Sequence, residues 1–319
     1  MSINKIIKAI DRYDSFLITS HIGLEGDALG SELALAYLLK KKGKNAVIVN
    51  EDGVPQNYMF LEDKRFIKPL YAKIKKPEAV FILDCSDMSR CGKVSGIMPQ
   101  DAPLVSIDHH ISNMCFGDIN WVEAKSSSTG EMIYKLYKKM NIPFERKAAI
   151  CLYTAILTDT GSFRYSATSS YTHQAAAELL KFNIAPDDIY KKVYECNSYS
   201  DIIMFKKALD TLTIDDTGKI AWLKMDMDLP DSQSCFDQTD NVMDFARRIK
   251  DIRACFLLRR AKNKNEVRVN LRSKGNVDVS KVARFFGGGG HRNASGCTVK
   301  GSFAEVESLV FKQVKKAIK

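Results

Sequence analysis

Short apolar segments alternate with helical segments in the first part of the chain, and this alternation constrains the fold more than any other feature. The strand-like segments are SFLITS, NAVIVN, AVFILDCSD and APLVSIDHH, and a helical segment, ALGSELALAYLLKKKG, lies between the first two. Strands that alternate with helices predict a mostly parallel sheet flanked by helices on both faces. Ligands of such sheets gather at the carboxyl ends of the strands, because the loops leaving those ends share one crevice.

The rest of the chain predicts a helical stretch followed by a second, smaller unit. Helical patterns continue through SSTGEMIYKLYKKM, AAICLYTAILTDTG and THQAAAELLKFN, and further helices around APDDIYKKVYECNSYSDI lead towards the second unit. There, strand patterns occur at KIAWLKM, RACFLLRR and EVRVNLRSK, and helical patterns at TDNVMDFARRIK and FAEVESLVFKQVKKAI. We therefore predict an α/β domain over 1–190, a helical connector over 191–210 and a smaller α/β domain over 211–319.

Positive charge is concentrated in the last quarter of the chain. Residues 247–319 contain 19 Lys and Arg against 5 Asp and Glu, whereas residues 1–246 contain 29 against 33, so the C-terminal part carries all of the excess in the net charge of +10. A solvated basic face would also show this composition. The asymmetry favours an anionic partner, because clustered Lys and Arg attract phosphates.

Composition excludes several other classes of protein. No apolar run approaches the roughly 18 residues that span a bilayer, and the N-terminal segment is amphipathic, unlike a signal peptide. We therefore expect a cytoplasmic protein that does not enter a membrane. The eight cysteines are scattered without a C-x-x-C pair, which argues against a zinc ribbon or a disulfide framework. We expect them to be reduced and mostly buried.

Histidines and acidic residues cluster where the predicted strands and helices end. The clusters are His21 with Glu25 and Asp27, Asp84 with Asp87, Asp108 with His109 and His110, Asp159 after a helix, and His291 after a glycine run. For Asp87 and Asp108, a role as a helix cap or turn residue is an equal alternative. The fifth histidine, His173, lies at the start of a predicted helix, and we expect a structural role for it.

The clustered side chains indicate a metal site. Many carboxylates at one edge of a sheet repel one another unless cations compensate their charge. Imidazole and carboxylate ligands without thiolate suit Mn²⁺, or Mg²⁺, Co²⁺ or Fe²⁺, better than a structural Zn²⁺. About six such ligands suit two ions rather than one, and a two-metal site suits in-line displacement at phosphorus.

These motifs, in this order, resemble the DHH phosphoesterase superfamily. In the first part, the resemblance is carried by HIGLEGD, the strand ending in Asp84, DHH at 108–110 and TDTGSFRYS; NLRSKGNVDVS and FFGGGGHRNASG resemble the DHH-associated C-terminal domain. The resemblance covers nearly the whole chain, and within the superfamily it is strongest to the NrnA group. It implies hydrolysis of very short oligoribonucleotides to mononucleotides and removal of the 3′-phosphate from 3′-phosphoadenosine 5′-phosphate (pAp).

The resemblance also implies a role for each motif residue. His21 and Glu25 would bind a first divalent ion and Asp27, His109 and Asp159 a second, with Asp84 bridging the two. His110 would face the substrate phosphate, and Asp108 would orient the neighbouring histidines, so His110, Asp84 and Asp108 are the catalytic candidates. The implied substrate contacts are Arg90, Arg272, Ser273, Gly288, Gly289, Gly290 and His291; an ion pair that anchors a loop is an equal alternative for Arg90.

The glycine run near the C-terminus is a weak signal by itself, since flexible loops are common. Glycines let backbone amides approach a ligand closely, and we expect a helix that starts near His291 to direct its N-terminus at an anion. His291 could then bond a phosphate or stack on a base.

Glu25 departs from the family pattern, which usually has Asp at this position. Glutamate keeps the charge and both oxygens but adds one methylene group. A small shift of the loop, which Gly23 and Gly26 would permit, could restore coordination. Our hypothesis is that Glu25 still binds, with a weakened or altered first ion.

Other functions remain open at this point. A phosphodiesterase for linear or cyclic dinucleotides is one alternative. A pyrophosphatase is disfavoured, because the C-terminal domain of that branch lacks the GGGGH motif. A nucleic-acid-binding relative without catalysis is disfavoured too, because every other ligand position is filled. The sequence does not determine the preferred substrate, the direction of cleavage, the physiological metal or the oligomeric state, a homodimer included.

Overall fold

The computed structural model describes residues 2–225, 238–261 and 265–318. The chain divides into two compact units, Met1–Glu195 (unit 1) and Cys196–Lys319 (unit 2). The boundary lies inside the range predicted as a connector, 191–210, whose bounds stay a prediction.

Unit 1 contains five strands and six α-helices. The strands are β1 (Ser15–Thr19), β2 (Asn45–Ile48), β3 (Ala79–Leu83), β4 (Leu104–Asp108) and β5 (Ile119–Val122). The helices are α1 (Ser2–Arg12), α2 (Gly26–Lys41), α3 (Thr129–Lys139), α4 (Arg146–Asp159), α5 (Ser170–Leu180) and α6 (Pro186–Tyr194). Two stretches form 3₁₀ helix, Gln56–Leu61 and Met88–Ile97, the second broken at Gly92.

The five strands form one wholly parallel sheet in the order β2-β1-β3-β4-β5. Every residue of β3 is buried, as expected of an apolar central strand covered on both faces. The predicted α/β fold with a parallel sheet is confirmed; β5, which the sequence analysis did not predict, adds an edge strand. Because β1, β3 and β4 are neighbours, the segments that follow them lie side by side.

Different elements cover the two faces of this sheet. On one face, the α-helices pack against alternate strand residues such as Phe81 and Ile107, with Leu33 and Ile156 among the buried helical residues. On the other face, Val80 and Ile82 meet the 3₁₀ stretch Met88–Ile97 and irregular chain around it. The helices predicted for this second face are therefore short 3₁₀ turns.

The described residues of unit 2 form a mixed sheet and four α-helices. Its strands are β6 (Thr213–Ile214), β7 (Ile220–Met225), β8 (Ala254–Arg260), β9 (Glu266–Ser273), β10 (Gly289–His291) and β11 (Ala294–Lys300), in the order β10-β11-β9-β8-β7-β6. Its helices are α7 (Tyr199–Leu209), α8 (Gln238–Arg248), α9 (Val279–Phe285) and α10 (Phe303–Ile318). Among the described pairs only β7 and β8 run parallel. The predicted second, smaller α/β domain is confirmed.

The expected helix start near His291 is wrong. His291 ends the edge strand β10, which pairs with β11, and the neighbouring helix α9 precedes the glycine run. The chain turns back as a hairpin there because the glycines allow very close strand approach: a Cβ on Gly288 would lie 2.2 Å from the Gly296 carbonyl oxygen. His291 therefore lies in a strand of a hairpin and not at the start of its own helix.

Most of the described cysteines are buried. Cys115 is exposed and Cys196 half-buried, while the buried ones are Cys85, Cys91, Cys151, Cys255 and Cys297. Cys235 lies outside the described residues. Within the described parts of the chain, every helix is too short or too polar to cross a membrane.

Candidate metal centre

The clustered residues predicted from sequence meet at the carboxyl edge of the unit 1 sheet. They form three overlapping groups with ligand atoms within 4.8 Å of one another: His21, Glu25 and Asp84; Asp27, His109 and Asp159; and Asp84, His109 and His110. His21 follows β1, Asp84 follows β3, and His109 and His110 follow β4. The start of α2 supplies Glu25 and Asp27, and the end of α4 supplies Asp159. We call the first group the first cluster and the second group the second cluster.

Asp84 links the two clusters. It follows β3 with a left-handed backbone (φ 53°), which is uncommon for a residue with a side chain. Its Oδ2 lies 3.6 Å from Nε2 of His21, and its Oδ1 lies 3.6 Å from Nε2 of His109 and accepts a hydrogen bond from the Thr129 hydroxyl at 3.0 Å. Each oxygen of this buried carboxylate therefore faces a different cluster.

The first cluster has unpaired ligand atoms in its interior. His21 is buried, and its Nδ1 donates to the carbonyl oxygen of Ile22 at 2.9 Å, which directs Nε2 towards the cluster. That Nε2 and Oδ2 of Asp84 are buried without a hydrogen-bond partner. Two buried ligand atoms without hydrogen bonds that face one another across 3.6 Å fit a cation.

Glu25 completes the first cluster from its exposed side. Its Oε1 lies 3.6 Å from Nε2 of His21, while its side chain is 57% exposed. It occupies the N-cap position of α2 without bonding the helix backbone, so its carboxylate remains available to a ligand. Gly23 has open space around it, but a Cβ on Gly26 would lie 2.6 Å from Oγ1 of Thr158. The loop can therefore adjust on the Gly23 side, whereas Gly26 is held against α4.

The second cluster is held by hydrogen bonds. Nε2 of His109 lies 3.8 Å from Oδ2 of Asp27 and 3.4 Å from Oδ2 of Asp159. The oxygens of Asp27 accept the backbone N–H groups of Thr129 at 2.7 Å and Gly130 at 2.8 Å, at the start of α3. A helix N-terminus stabilises a negative charge, so α3 fixes Asp27 in place.

Charge in the second cluster is not balanced by the protein alone. Burial raises the pKa of Asp27 well above its ordinary value, and the neighbouring charges of Asp84 and Asp159 raise it further. Burial likewise raises the pKa of Asp159 to about 7, despite the opposing charge of His109. Carboxylates with raised pKa values in one buried cluster are the situation that a divalent cation relieves.

The side chain of Asp108 orients His110. Its Oδ1 bonds Nδ1 of His110 at 2.6 Å, and its Oδ2 accepts a hydrogen bond from Nδ2 of Asn113 at 2.7 Å. Asn113 also donates to the carbonyl oxygen of Cys85 at 3.1 Å, so it joins the segments after β3 and β4. Asn113 was not predicted from the sequence, where its position five residues after Asp108 is the only indication of this contact.

A second set of missed residues lies at 126–130, which follows β5 and includes the first residues of α3. The carbonyl oxygen of Ser126 bonds Nδ1 of His109 at 3.2 Å, which leaves Nε2 of that ring facing the carboxylates. Thr129 and Gly130 supply the donors to Asp27 described above. The sequence SSSTGE indicates only the start of a helix, which Ser128 caps by accepting the Glu131 N–H at 2.9 Å.

Two other predicted residues of unit 1 lie near these segments. Arg90 lies in the 3₁₀ stretch Met88–Ile97, and its carbonyl oxygen accepts the N–H of Ile22, beside His21, at 2.7 Å. Asp87 caps that stretch by accepting the Ser89 N–H at 2.9 Å. His173 stacks on Phe163 with ring centroids 5.2 Å apart, in keeping with a structural role.

The predicted substrate residues of unit 2 lie near one another in its sheet. Arg272 of β9 is in register with Ala294 of β11, which is in register with His291 of β10. The hydroxyl of Ser273 donates to the Val277 carbonyl oxygen at 2.7 Å. The glycines Gly288, Gly289 and Gly290 lead into or form β10 beside them.

Known proteins similar to this chain match nearly its whole length. The bifunctional oligoribonuclease and PAP phosphatase NrnA of Thermus thermophilus is 28% identical over 297 residues, covering 93% of this chain and 87% of the relative. The protein of the same name from Bacillus subtilis is 26% identical over 301 residues, with 92% of each chain covered. An exopolyphosphatase-related protein from Bacteroides fragilis superposes with a TM-score of 0.87 at 25% identity, covering 100% of this chain and 98% of that one.

Two family models match separate parts of the chain. The N-terminal domain of the DHH family matches residues 15–156, and the DHHA1 domain matches residues 236–319. Together they cover most of the sequence, and they confirm the resemblance inferred from the motifs. The chain therefore carries a domain that matches the DHH family in its N-terminal part and a domain that matches DHHA1 in its C-terminal part.

Proposed function

We propose that this chain is a metal-dependent phosphoesterase that hydrolyses very short oligoribonucleotides to mononucleotides and removes the 3′-phosphate from pAp. The names of the Thermus and Bacillus relatives support both activities. The observation that carries the proposal is the placement of Asp84, whose two carboxylate oxygens face two separate groups of ligand atoms. This arrangement suits the hydrolysis of phosphate esters.

The ligand set supports two divalent ions. His21, Glu25 and Asp84 would hold one, and Asp27, His109 and Asp159 the other, with Asp84 shared between them. The donors are nitrogen and oxygen without sulfur, so Mn²⁺ is the first choice, followed by Mg²⁺, Co²⁺ and Fe²⁺. When bound, the ions would supply Lewis-acid chemistry by lowering the pKa of water and stabilising negative charge on the phosphoryl oxygens.

The protein's own residues position the phosphate and the ligands. The bond between Nδ1 of His110 and Asp108 orients the imidazole ring, which is proposed to contact an oxygen of the scissile phosphate. Asp108 fixes the ring orientation. Burial alone would raise the pKa of Asp84, but the neighbouring histidines hold that pKa well below its ordinary value and keep the carboxylate ionised. His110, Asp84 and Asp108 are therefore the proposed catalytic group.

The positive charge of unit 2 supports binding of a substrate phosphate or nucleotide there. Arg272 and His291 are the proposed charged and aromatic contacts, and the glycines at 288–290 leave backbone groups accessible. Ser273 stays a predicted contact; its bond to Val277 shapes the turn after β9. Arg90 is proposed to contact phosphate from the segment beside His21.

Hydrolysis of a matched substrate panel tests the function. The panel contains 5′-labelled RNA from dinucleotides to long chains, linear and cyclic dinucleotides, and pAp, each with Mn²⁺ and with EDTA. We expect rapid Mn²⁺-dependent release of mononucleotides from the shortest RNA and of phosphate from pAp. Asp84→Asn is expected to lower turnover on the order of a thousandfold while leaving the fold intact.

Other results would contradict the proposal in distinct ways. Cleavage of cyclic or linear dinucleotides alone would identify a dinucleotide phosphodiesterase. Binding of RNA by both wild type and Asp84→Asn, without turnover under any metal, would identify a binding protein. Location in the cytoplasm and association as a homodimer remain separate predictions; the molar mass of the purified chain tests the second.

A further inference from the structure

The segment at 126–130, which we call the support segment, orients three of the candidate ligands. It contacts both oxygens of Asp27, one oxygen of Asp84 and the ring of His109. None of these ligands is a sequence neighbour of the segment, so the geometry of the site depends on what holds the segment in place.

Glu131 anchors the support segment. This carboxylate is 2% exposed, and its Oε2 accepts a hydrogen bond from the Ser127 hydroxyl at 2.6 Å. Its Oε1 lies 3.0 Å from Nζ of Lys135, and the same ammonium group donates to the Ser126 hydroxyl at 2.7 Å. Glu131 and Lys135 thus bind two consecutive residues of the segment, Ser127 and Ser126.

The same carboxylate also bonds the start of α5. Its Oε2 also accepts a hydrogen bond from the hydroxyl of Thr172 at 2.7 Å. Thr172 forms a capping box with Ser169 at the start of α5, where the loop 160–168 that follows Asp159 ends. One buried side chain therefore links the support segment to the end of the loop that begins at Asp159.

Glu131 holds these groups as an ion. Burial alone would raise the pKa of Glu131, but hydrogen bonds from Ser127, Thr172 and Lys135 outweigh that effect and bring its pKa below the ordinary value. An ionised carboxylate accepts from all three donors at once, which a neutral amide of the same shape cannot do.

We propose that Glu131 is a positioning residue that sets the spacing between Asp159 and the other two members of the second cluster, and so sets the affinity of that cluster for a divalent ion. The inference rests on the proposed metal site. Glu131 contacts no substrate in this proposal; it acts through the support segment and α5.

Metal titration of Glu131→Gln tests the proposal. The metal-free full chain is titrated with Mn²⁺ alone by calorimetry, and its thermal unfolding is measured in parallel. We expect Mn²⁺ affinity at one of two sites to fall on the order of tenfold, with the other site unchanged. We also expect kcat to fall while KM for the shortest RNA stays within about twofold.

Asp63→Asn is the matched control. Asp63 is a buried carboxylate of the same unit whose partners are the Tyr37 hydroxyl at 2.7 Å and the Arg65 guanidinium, not a candidate ligand. We expect this variant to lose thermal stability as Glu131→Gln does, while Mn²⁺ affinity stays at the wild-type value. Thr172→Val removes one bond to Glu131 at nearly constant volume, and it should weaken Mn²⁺ binding in the same direction even if Glu131→Gln does not fold.

The outcomes separate this proposal from the proposed function. Wild-type Mn²⁺ affinity in both Glu131→Gln and Thr172→Val would overturn the positioning role alone. A wild-type chain that binds no Mn²⁺ would overturn the metal site and the positioning role together. A wild-type chain that binds Mn²⁺, responds to these variants and yet cleaves no substrate would overturn only the proposed function.

Discussion

The two clusters of the site are built in opposite ways. In the second cluster, Asp27 is 1% exposed and accepts hydrogen bonds from two backbone N–H groups and from the Ser31 hydroxyl at 3.2 Å. In the first cluster, the Glu25 side chain is 57% exposed and makes no bond to the helix that it begins. One carboxylate is fixed before any ligand arrives, whereas the other can still move.

This difference explains where the chain can depart from its family. An added methylene at Asp27 would push the carboxylate into the N-terminus of α3, where two donors at 2.7 and 2.8 Å leave no room. At Glu25 the same methylene belongs to a side chain that is 57% exposed, next to the open space at Gly23. A longer side chain is tolerated at the position with the fewest partners.

The largest effect should come from removing the charge of Asp27. In Asp27→Asn, the amide group presents hydrogens to at least one of the two N–H donors, which costs about 1–3 kcal/mol of folding free energy. Chemical denaturation should show this loss, and Mn²⁺ affinity should fall as well. Glu25→Gln, the matched change in the first cluster, should alter stability by less than about 0.5 kcal/mol. Equal losses of stability in the two variants would contradict the inferred difference between Asp27 and Glu25.

The pH dependence of the metal-free protein should separate the clusters. The pKa of Asp159 is raised from 3.8 to about 7, so its contribution to stability is full below pH 3.8 and is lost as the pH rises through 7. Burial alone would lower the pKa of His21, but interactions with Asp84 and Glu25 raise it from 6.5 to about 11. The contribution of His21 to stability is therefore full below pH 6.5 and is lost as the pH rises through 11.

The free energy of unfolding in EDTA should therefore fall as the pH rises from about 4 to 9. Asp159→Asn should flatten the lower part of this curve and His21→Asn the upper part. Saturating Mn²⁺ should remove the decline, because metal ions bind the deprotonated ligands. A stability curve that is flat across this range without metal would show that neither cluster carries the unbalanced charge inferred from the structure.

The smallest effect is expected for Glu25→Asp. This variant restores the usual family residue at the adaptable position, so we expect one Mn²⁺ site to tighten by a few-fold and the other to stay unchanged. Calorimetry on the metal-free chain measures both. A variant that neither binds Mn²⁺ more tightly nor turns over faster would show that glutamate at position 25 weakens neither metal binding nor catalysis.

The sequence predicted the parts of the site that follow from sheet geometry. Apolar strands ending in Asp84 and at Asp108 predict a shared edge, since parallel neighbours end together. The supporting residues were missed because Asn113 and Glu131 lie in turn and cap sequences, which look the same whether or not a distant ligand depends on them. Nothing local in SSSTGE indicates that Asp27 will lie against it.

The C-terminal hairpin shows a different limit of sequence reasoning. The segment ASGCTVK lacks the apolar alternation of a strand, and the glycine run before it is typical of a flexible loop. The structure pairs the two at Gly289 and Gly296, and a Cβ on the neighbouring Gly288 would collide with the Gly296 carbonyl oxygen, so only glycine fits there. Steric fit between two segments decided this element, and that information does not reside in either segment alone.

The bonds between Asp27 and the start of α3 also have a consequence for how the protein is made. They join residues 102 and 103 positions apart in the sequence. A chain synthesised from its N-terminus and halted before residue 129 would contain every motif from His21 to His110 but neither backbone donor for Asp27, and it would lack Asp159 altogether. Assembly of the complete ligand set is therefore a late event in biosynthesis, and a nascent chain gains it only when most of unit 1 has left the ribosome.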